Sequence, residues 1–165
     1  MKHIVFVRHA RAEEDSGSFP DFERSLTTSG KAASEKMAGK FREKEKGQLL
    51  LITSPAFRAY ETALVFARIL KHKPDDIILK NTLYSDPNLN ALGDILAEAD
   101  DSIDTVVLFG HNPSFTELAD RLSKNGCDFL PKAGIVCLAF HTDTWKGIVR
   151  ERGTIEYFLK PEKNK

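Results

Sequence analysis

Three places in the sequence set a basic or imidazole side chain just after an apolar run. Ile4-Val5-Phe6-Val7 leads into Arg8-His9-Ala10, Leu49 to Thr53 leads into Ser54-Pro55 with Arg58 just beyond, and Thr105 to Phe109 leads into Gly110-His111-Asn112-Pro113. Apolar runs of this length and composition read as strands buried on both faces, which belong to parallel sheets. Ligands of open parallel sheets sit past the carboxyl ends of the strands, so a parallel arrangement gathers two guanidinium groups and two imidazoles at one edge. That much positive potential beside an apolar core calls for an anion. Phosphate fits best, because the arginine fork matches its oxygens and helix N-termini add backbone donors.

The elements that must position these groups follow in chain order. Arg11 to Arg24, with Gly17 and Pro20, reads as a long polar surface loop. A helix is expected from Thr27-Thr28 to about Lys46, with an exposed charge run from Phe41 to Lys46 at its end. Ser54-Pro55 predicts a helix start, with Ser54 as N-cap and Pro55 at the first helical position. Phe57, Tyr60, Leu64, Ala67 and Leu70 would be the core face of that helix. Arg58 in its first turn opposes the helix dipole at a cost of about 0.3–1 kcal/mol, a conflict that a bound anion would remove.

Lys73 to Asp76 reads as a turn, Ile77-Ile78-Leu79 as a short strand, Tyr84 to Asn88 as a polar loop and Leu89 to about Ala99 as an amphipathic helix. Asn112 is expected to cap, and Pro113 to begin, a helix containing Phe115, Leu118, Ala119 and Leu122. Ile135 to Phe140 and Ile155 to Leu159 read as strands, joined by a polar hairpin-like segment from Asp143 to Gly153 that contains Trp145. Strands in succession without an intervening helix imply antiparallel pairing at one edge. Pro161 to Lys165 reads as a frayed end. The predicted fold is a three-layer α/β/α sandwich with a mainly parallel central sheet and an antiparallel edge.

The 165 residues show no internal repeat or linker, so 1–165 is expected to be a single domain. Acidic and basic residues number 24 each, which provides no global field for nucleic acid or an anionic membrane. Only four apolar residues precede Arg8, too few for a signal-peptide core or a membrane span. Cys127 and Cys137 have neither metal-type nor framework spacing, so both are expected to be reduced in a cytoplasmic protein. Oligomeric state is not legible.

Taken together, Val7-Arg8-His9-Ala10, Leu26-Thr27-Thr28-Ser29-Gly30, Ser54-Pro55 with Arg58-Ala59 and Thr62-Ala63, and Gly110-His111-Asn112-Pro113 resemble the histidine phosphatase superfamily, the phosphoglycerate mutase-like enzymes. The chain is more narrowly similar to the SixA-type phosphohistidine phosphatases, a short branch without large insertions. Pro131 to Phe140, Trp145, Gly153 and Phe158-Leu159-Lys160-Pro161 resemble that branch's closing strands, whereas Ala10 stands where much of the superfamily has Gly. The resemblance implies a phosphatase in which His9 is the nucleophile and Arg8, Arg58 and His111 bind the phosphoryl group. It further implies a phosphohistidine intermediate, and neither a metal nor another cofactor, because the arginine pair supplies the positive charge.

Many superfamily members place a Glu in the loop after the third strand. Here that loop offers Tyr84-Ser85-Asp86, so Asp86 is the candidate acid, with Glu13 and Glu14 behind it. An imidazole departs from phosphorus with little help, so the missing Glu favours a phosphohistidine substrate, borne on a phosphorelay or phosphocarrier protein. Arg24 matches the family pattern as a substrate contact, or it pairs with Asp21, and Asn112 is a second candidate substrate contact. Thr62 and Ala63 read as packing residues. The alternatives are a phosphomonoesterase acting on small phosphate esters, a non-catalytic phosphate-binding module, and a zinc site built on His9 and His111. The short loops predict an open, shallow pocket.

Overall fold

Ile4, Val5, Phe6 and Val7 are fully excluded from solvent, because the strand that carries them has neighbours on both edges and helices on both faces. In the computed structural model, which describes residues 1–45 and 47–162, β1 (Lys2–Arg8) lies fourth in a six-stranded sheet. The other strands are β2 (Leu49–Thr53), β3 (Ile78–Leu79), β4 (Thr105–Gly110), β5 (Ile135–Phe140) and β6 (Thr154–Leu159), in the spatial order β3-β2-β4-β1-β5-β6. β3, β2, β4 and β1 pair in parallel, and β5 and β6 are antiparallel to their neighbours. The sheet is thus mainly parallel with an antiparallel edge, as the residue pattern predicts.

Alternating side chains of each strand enter two separate cores, as the two-residue period of a strand requires. Val5, Val7, Leu51, Val107 and Phe109 meet Met37, Ala38, Phe41, Ala63, Phe66 and Ala67 of α1 (Thr28–Lys44) and α2 (Phe57–Leu70). Ile4, Phe6, Ile52, Val106 and Leu108 meet Leu92, Ile95, Phe115, Leu118 and Leu122 of α4 (Leu89–Ala97) and α5 (Ser114–Leu122), with Trp145 beside them. The Trp145 indole N–H donates to the Ile103 carbonyl at 3.0 Å, which satisfies its one polar group inside the apolar layer.

The start of α1 explains the Leu-Thr-Thr-Ser-Gly run. Thr27 is the N-cap, its hydroxyl accepting from the Gly30 N–H at 3.0 Å. A Cβ on Gly30 would fall 2.1 Å from the Arg11 carbonyl oxygen, so only glycine lets the helix lie against the backbone that leaves β1.

Several local expectations need correction. α1 ends at Lys44, and the expected end at Lys46 lies outside the described residues, as do residues 163–165 of the tail. Its terminal charge run is not wholly solvated, for Glu45 is buried. α2 begins at Phe57 with Ala56 as N-cap, not at Ser54-Pro55. Its buried residues are Arg58, Ala59, Thr62, Ala63, Phe66 and Ala67, while Phe57 is 41% exposed. The sheet and α1 meet three alanines together with Phe66, and Leu64 and Leu70 are partly buried at the margin of that core. Tyr84 lies in a short helix, α3 (Thr82–Ser85), rather than a loop. β3 omits Ile77, and α5 begins at Ser114 with Pro113 as N-cap. Both cysteines are free; burial pushes the thiols up, Cys127 to about 11 and Cys137 further. No helix among the described residues is long and apolar enough to cross a membrane.

Candidate active site

The carboxyl ends of β1, β2 and β4 are tied together by backbone hydrogen bonds. Arg8 is in register with Gly110, the His9 N–H donates to the Gly110 carbonyl at 3.0 Å, and the Ser54 N–H donates to the Phe109 carbonyl at 2.9 Å. Gly110 cannot carry a side chain here, because a Cβ would meet the Phe115 ring at 2.5 Å. The His9 and His111 rings consequently lie 5.2 Å apart. Arg58 reaches the same place from the first turn of α2, held by Thr62. The Thr62 hydroxyl donates to the Arg58 carbonyl at 2.7 Å and accepts from the Ala10 N–H at 3.3 Å. Thr62, which read as a packing residue, is the clasp between the two arginine-bearing segments.

His9 is 8% exposed, and its Nδ1 lies 2.7 Å from the Ala10 carbonyl. A carbonyl only accepts, so Nδ1 carries the proton and Nε2 keeps its lone pair. Burial, opposed by that hydrogen bond and reinforced by His111, Arg58 and Arg8, pushes the His9 imidazole down to about 3. Burial and then Arg58 push His111 down to about 4. Both rings are neutral near pH 7.

His111 Nε2 lies 2.8 Å from the Ser54 hydroxyl, which also accepts from the Ala56 N–H at 3.3 Å. Ser54 therefore serves His111 instead of capping α2. His111 Nδ1, Arg8 Nε and Arg58 Nε are all buried with no hydrogen-bond partner. The two guanidinium N–H groups are buried donors without acceptors, costing about 1–3 kcal/mol each, and an oxyanion bound among them would supply the acceptors.

Each remaining candidate has a definite place. Arg24 takes the second of its two expected roles, with Nε and Nη2 both 2.9 Å from Asp21 Oδ1 and Nη1 donating to the Glu13 carbonyl at 2.9 Å. Asn112 is engaged at both ends. Its Nδ2 donates to the Leu130 carbonyl at 2.8 Å, and its Oδ1 accepts from the Thr116 N–H and hydroxyl at 3.2 and 3.0 Å. Asn112 thus fastens α5 to the segment before β5, where Leu130 also accepts from Arg8 Nη1 at 3.2 Å. Asp86, Glu13 and Glu14 are exposed, and none of their side chains has a hydrogen bond or ion pair to Arg8, His9, Arg58 or His111.

The carboxylate that does enter the site is Asp21, which the sequence reading considered only as a partner for Arg24. Its Oδ2 lies 3.1 Å from Arg58 Nη2 and 2.9 Å from the Tyr84 hydroxyl, and its main-chain carbonyl accepts from Arg58 Nη1 at 2.9 Å. Partial burial would raise this carboxyl, but the Tyr84 hydroxyl, Arg58 and Arg24 outweigh it and hold Asp21 below the usual carboxylate range. Aromatic rings frame the site. Tyr84 stands edge-on to His111 at 5.6 Å, Phe22 packs on Tyr84 at 5.3 Å, and Phe129 covers the Arg8 guanidinium at 5.5 Å.

His9 and His111 share no cluster of metal-ligating side chains. The one such group among the described residues is His3 with Glu45 and Glu156, at the opposite end of the sheet.

No family model matches the chain, and no curated protein sequence does either. Solved structures do match. SixA from Agrobacterium tumefaciens superposes with a TM-score of 0.78 at 21% identity over 97% of this chain and 98% of that one. The protein histidine phosphatase SixA complexed with tungstate gives 0.78 at 20% identity over 96% and 97%. A mycobacterial glucosyl-3-phosphoglycerate phosphatase gives 0.66 at 16% identity over 94% and 97%. The fold of this chain is therefore the phosphoglycerate mutase-like fold of those structures, along nearly its whole length.

Proposed function

We propose that the protein is a metal-independent phosphatase that works through a phosphohistidine intermediate at His9, with a protein-borne phosphohistidine as substrate. The observation that carries this reading is the His9 ring itself: buried, neutral, its tautomer set by the Ala10 carbonyl, and placed beside two arginines and a second imidazole. Its lone pair at Nε2 can attack phosphorus in line, forming the P–Nε2 bond as the bond to the leaving nitrogen breaks. Arg8, Arg58 and a neutral, donating His111 supply the positive charge and N–H groups for the equatorial oxygens. The departing imidazole takes up a proton from solvent. Water then attacks the phosphorus of phospho-His9, releasing inorganic phosphate and restoring the lone pair.

Substrate choice follows from the leaving group. An alkoxide needs a positioned acid, and Asp21, the carboxylate nearest the site, is held ionised by its neighbours. Imidazole departs without such an acid, which supports a P–N substrate over small phosphate esters. The higher TM-score to a protein histidine phosphatase, 0.78, than to a glucosyl-3-phosphoglycerate phosphatase, 0.66, supports the same choice.

The test compares turnover of a phosphohistidine peptide with a panel of phosphate esters, with and without EDTA. Faster release from the peptide, indifferent to the chelator, is the expected result. Preference for an ester would replace the substrate assignment, and chelator sensitivity would end the metal-free mechanism. Trapping with a labelled phosphoryl donor should give an acid-labile, base-stable adduct lost in His9→Ala. Its absence would leave a phosphate-binding module.

A further inference from the structure

Phe129 is 66% exposed, the most exposed of the large apolar side chains, yet it is placed directly over a site residue, 5.5 Å from the Arg8 guanidinium carbon. The ring does not hang on a free loop. The next residue, Leu130, is fully buried, and its carbonyl accepts from both Arg8 Nη1 and Asn112 Nδ2, so the backbone that carries Phe129 is fixed to the phosphoryl-binding groups. A second aromatic ring, Tyr84, 36% exposed, stands edge-on to His111 and is buttressed by Phe22 and then Phe57. An exposed phenyl ring contributes nothing to the core, and two aromatic walls around four cationic or imidazole groups are not needed to hold an oxyanion.

In-line attack puts the leaving group on the far side of phosphorus from His9. His9 is buried, so that side faces outward, where these rings stand. We propose that Phe129 is a specificity-determining residue that stacks on a planar aromatic leaving group, with Tyr84 as a second wall. This inference rests on the phosphohistidine reading above and narrows it: the site reads the imidazole ring of the substrate as well as its phosphoryl group. A guanidinium under Phe129 favours the arrangement, since the ring face already turned to a cation holds Phe129 in one orientation. An aromatic pair contributes about 0.5–1.5 kcal/mol beyond area burial, equivalent to about a two- to twelvefold preference.

Two P–N compounds separate the ring from the bond. N-phosphohistidine carries the imidazole, and phosphoramidate has the same type of bond without a ring. The ratio of their kcat/KM values in the wild type, Phe129→Ala, Phe129→Leu and Phe129→Tyr is the readout, because any general disturbance of Arg8 lowers both numbers and leaves the ratio alone. The expected result is a fall of about five- to tenfold in the ratio for Phe129→Ala and Phe129→Leu, with Phe129→Tyr close to wild type. An unchanged ratio in Phe129→Ala, or a wild-type ratio in Phe129→Leu, would overturn the stacking role while leaving the phosphohistidine reading intact. A wild-type protein that hydrolyses neither compound would remove both.

Discussion

At the carboxyl end of the strands, His9 and His111 face two arginines; at the amino end, His3 lies between Glu45 and Glu156. His3 Nδ1 is 3.8 Å from Glu45 Oε2, and its Nε2 is 3.3 Å from Glu156 Oε2, without the alignment of a hydrogen bond. Glu45 is buried, but its carboxylate accepts from Tyr157 at 2.8 Å, Thr105 at 3.2 Å and the Cys137 thiol at 3.3 Å. Acceptors at that end have donors. At the other end Arg8 Nε, Arg58 Nε and His111 Nδ1 are buried without partners, and burial with like charge drives both imidazoles neutral. One sheet thus carries at one end of its strands a buried carboxylate whose acceptors are filled, with only His3 Nε2 unpartnered, and at the other end a cluster of three unpartnered groups around two imidazoles.

Substitutions at the two ends should separate these roles. The largest effect is expected for His9→Ala, a loss of phosphatase turnover on the order of 10⁴-fold or more, because the proposed nucleophile is gone. His3→Ala should stay within about twofold of wild type in the same assay; comparable losses in both variants would erase the distinction between the ends. Next comes Arg58→Gln, expected to lower kcat on the order of 10²- to 10³-fold by removing a charged donor from the phosphoryl oxygens. Steady-state kinetics on the folded variant, checked by circular dichroism, would decide it.

Glu45→Ala should show the converse pattern. Turnover is retained, but unfolding in urea gives about 2 kcal/mol less stability, since buried hydroxyls on Thr105 and Tyr157 lose their acceptor. Unchanged stability would mean that the amino-end cluster holds nothing together.

The pH dependence sharpens the contrast further. His9 at about 3 lies well below the ordinary 6.5 for histidine, so the unfolded chain binds more protons than the folded one between those values. Its contribution to stability is therefore intact above about pH 6.5 and is lost as pH falls toward 3. Over the same window, kcat/KM corrected for spontaneous hydrolysis should show no acid limb near pH 6.5 from the nucleophile. A drop centred there would mean that His9 titrates as an ordinary imidazole. The smallest effect is expected for Asp21→Asn. Without the Asp21 charge, inorganic phosphate should bind about two- to fivefold more tightly by calorimetry, as suits a partly exposed ion pair.

Arg8, His9, Arg58 and His111 were legible because each follows an apolar run, and a parallel sheet brings such ends together whatever lies between them. The antiparallel edge is legible for another reason, two strands in succession with no helix between them. Asp21 left no such trace. It sits in a 3-10 turn (Asp21–Glu23) within an irregular loop, 37 residues from the arginine it pairs with, where no periodicity reports on position. Ser54 was misread for a different reason: Ser-Pro usually opens a helix, but here a neighbouring strand end offers its hydroxyl an imidazole, and the helix waits until Phe57. The core face of α2 is read in part: Ala67 is buried and Leu64 and Leu70 pack against the core, but Phe57 is exposed and Ala59, Ala63 and Phe66 lie inside, because large side chains outweigh alanines in a hydrophobic pattern. Phe129 falls outside every regular element, so its place above Arg8 could come only from coordinates.

The Asp21 latch on Arg58 has a kinetic consequence. Asp21 is shared by Arg58 and Arg24 and offsets only part of their charge, Arg8 has no carboxylate partner among the described residues, and a chain with no formal net charge adds no wider field. Under the proposed function, an arriving oxyanion displaces Asp21 from Arg58 at contact distance, so part of its attraction is cancelled by the carboxylate it replaces and the salt dependence of association is damped.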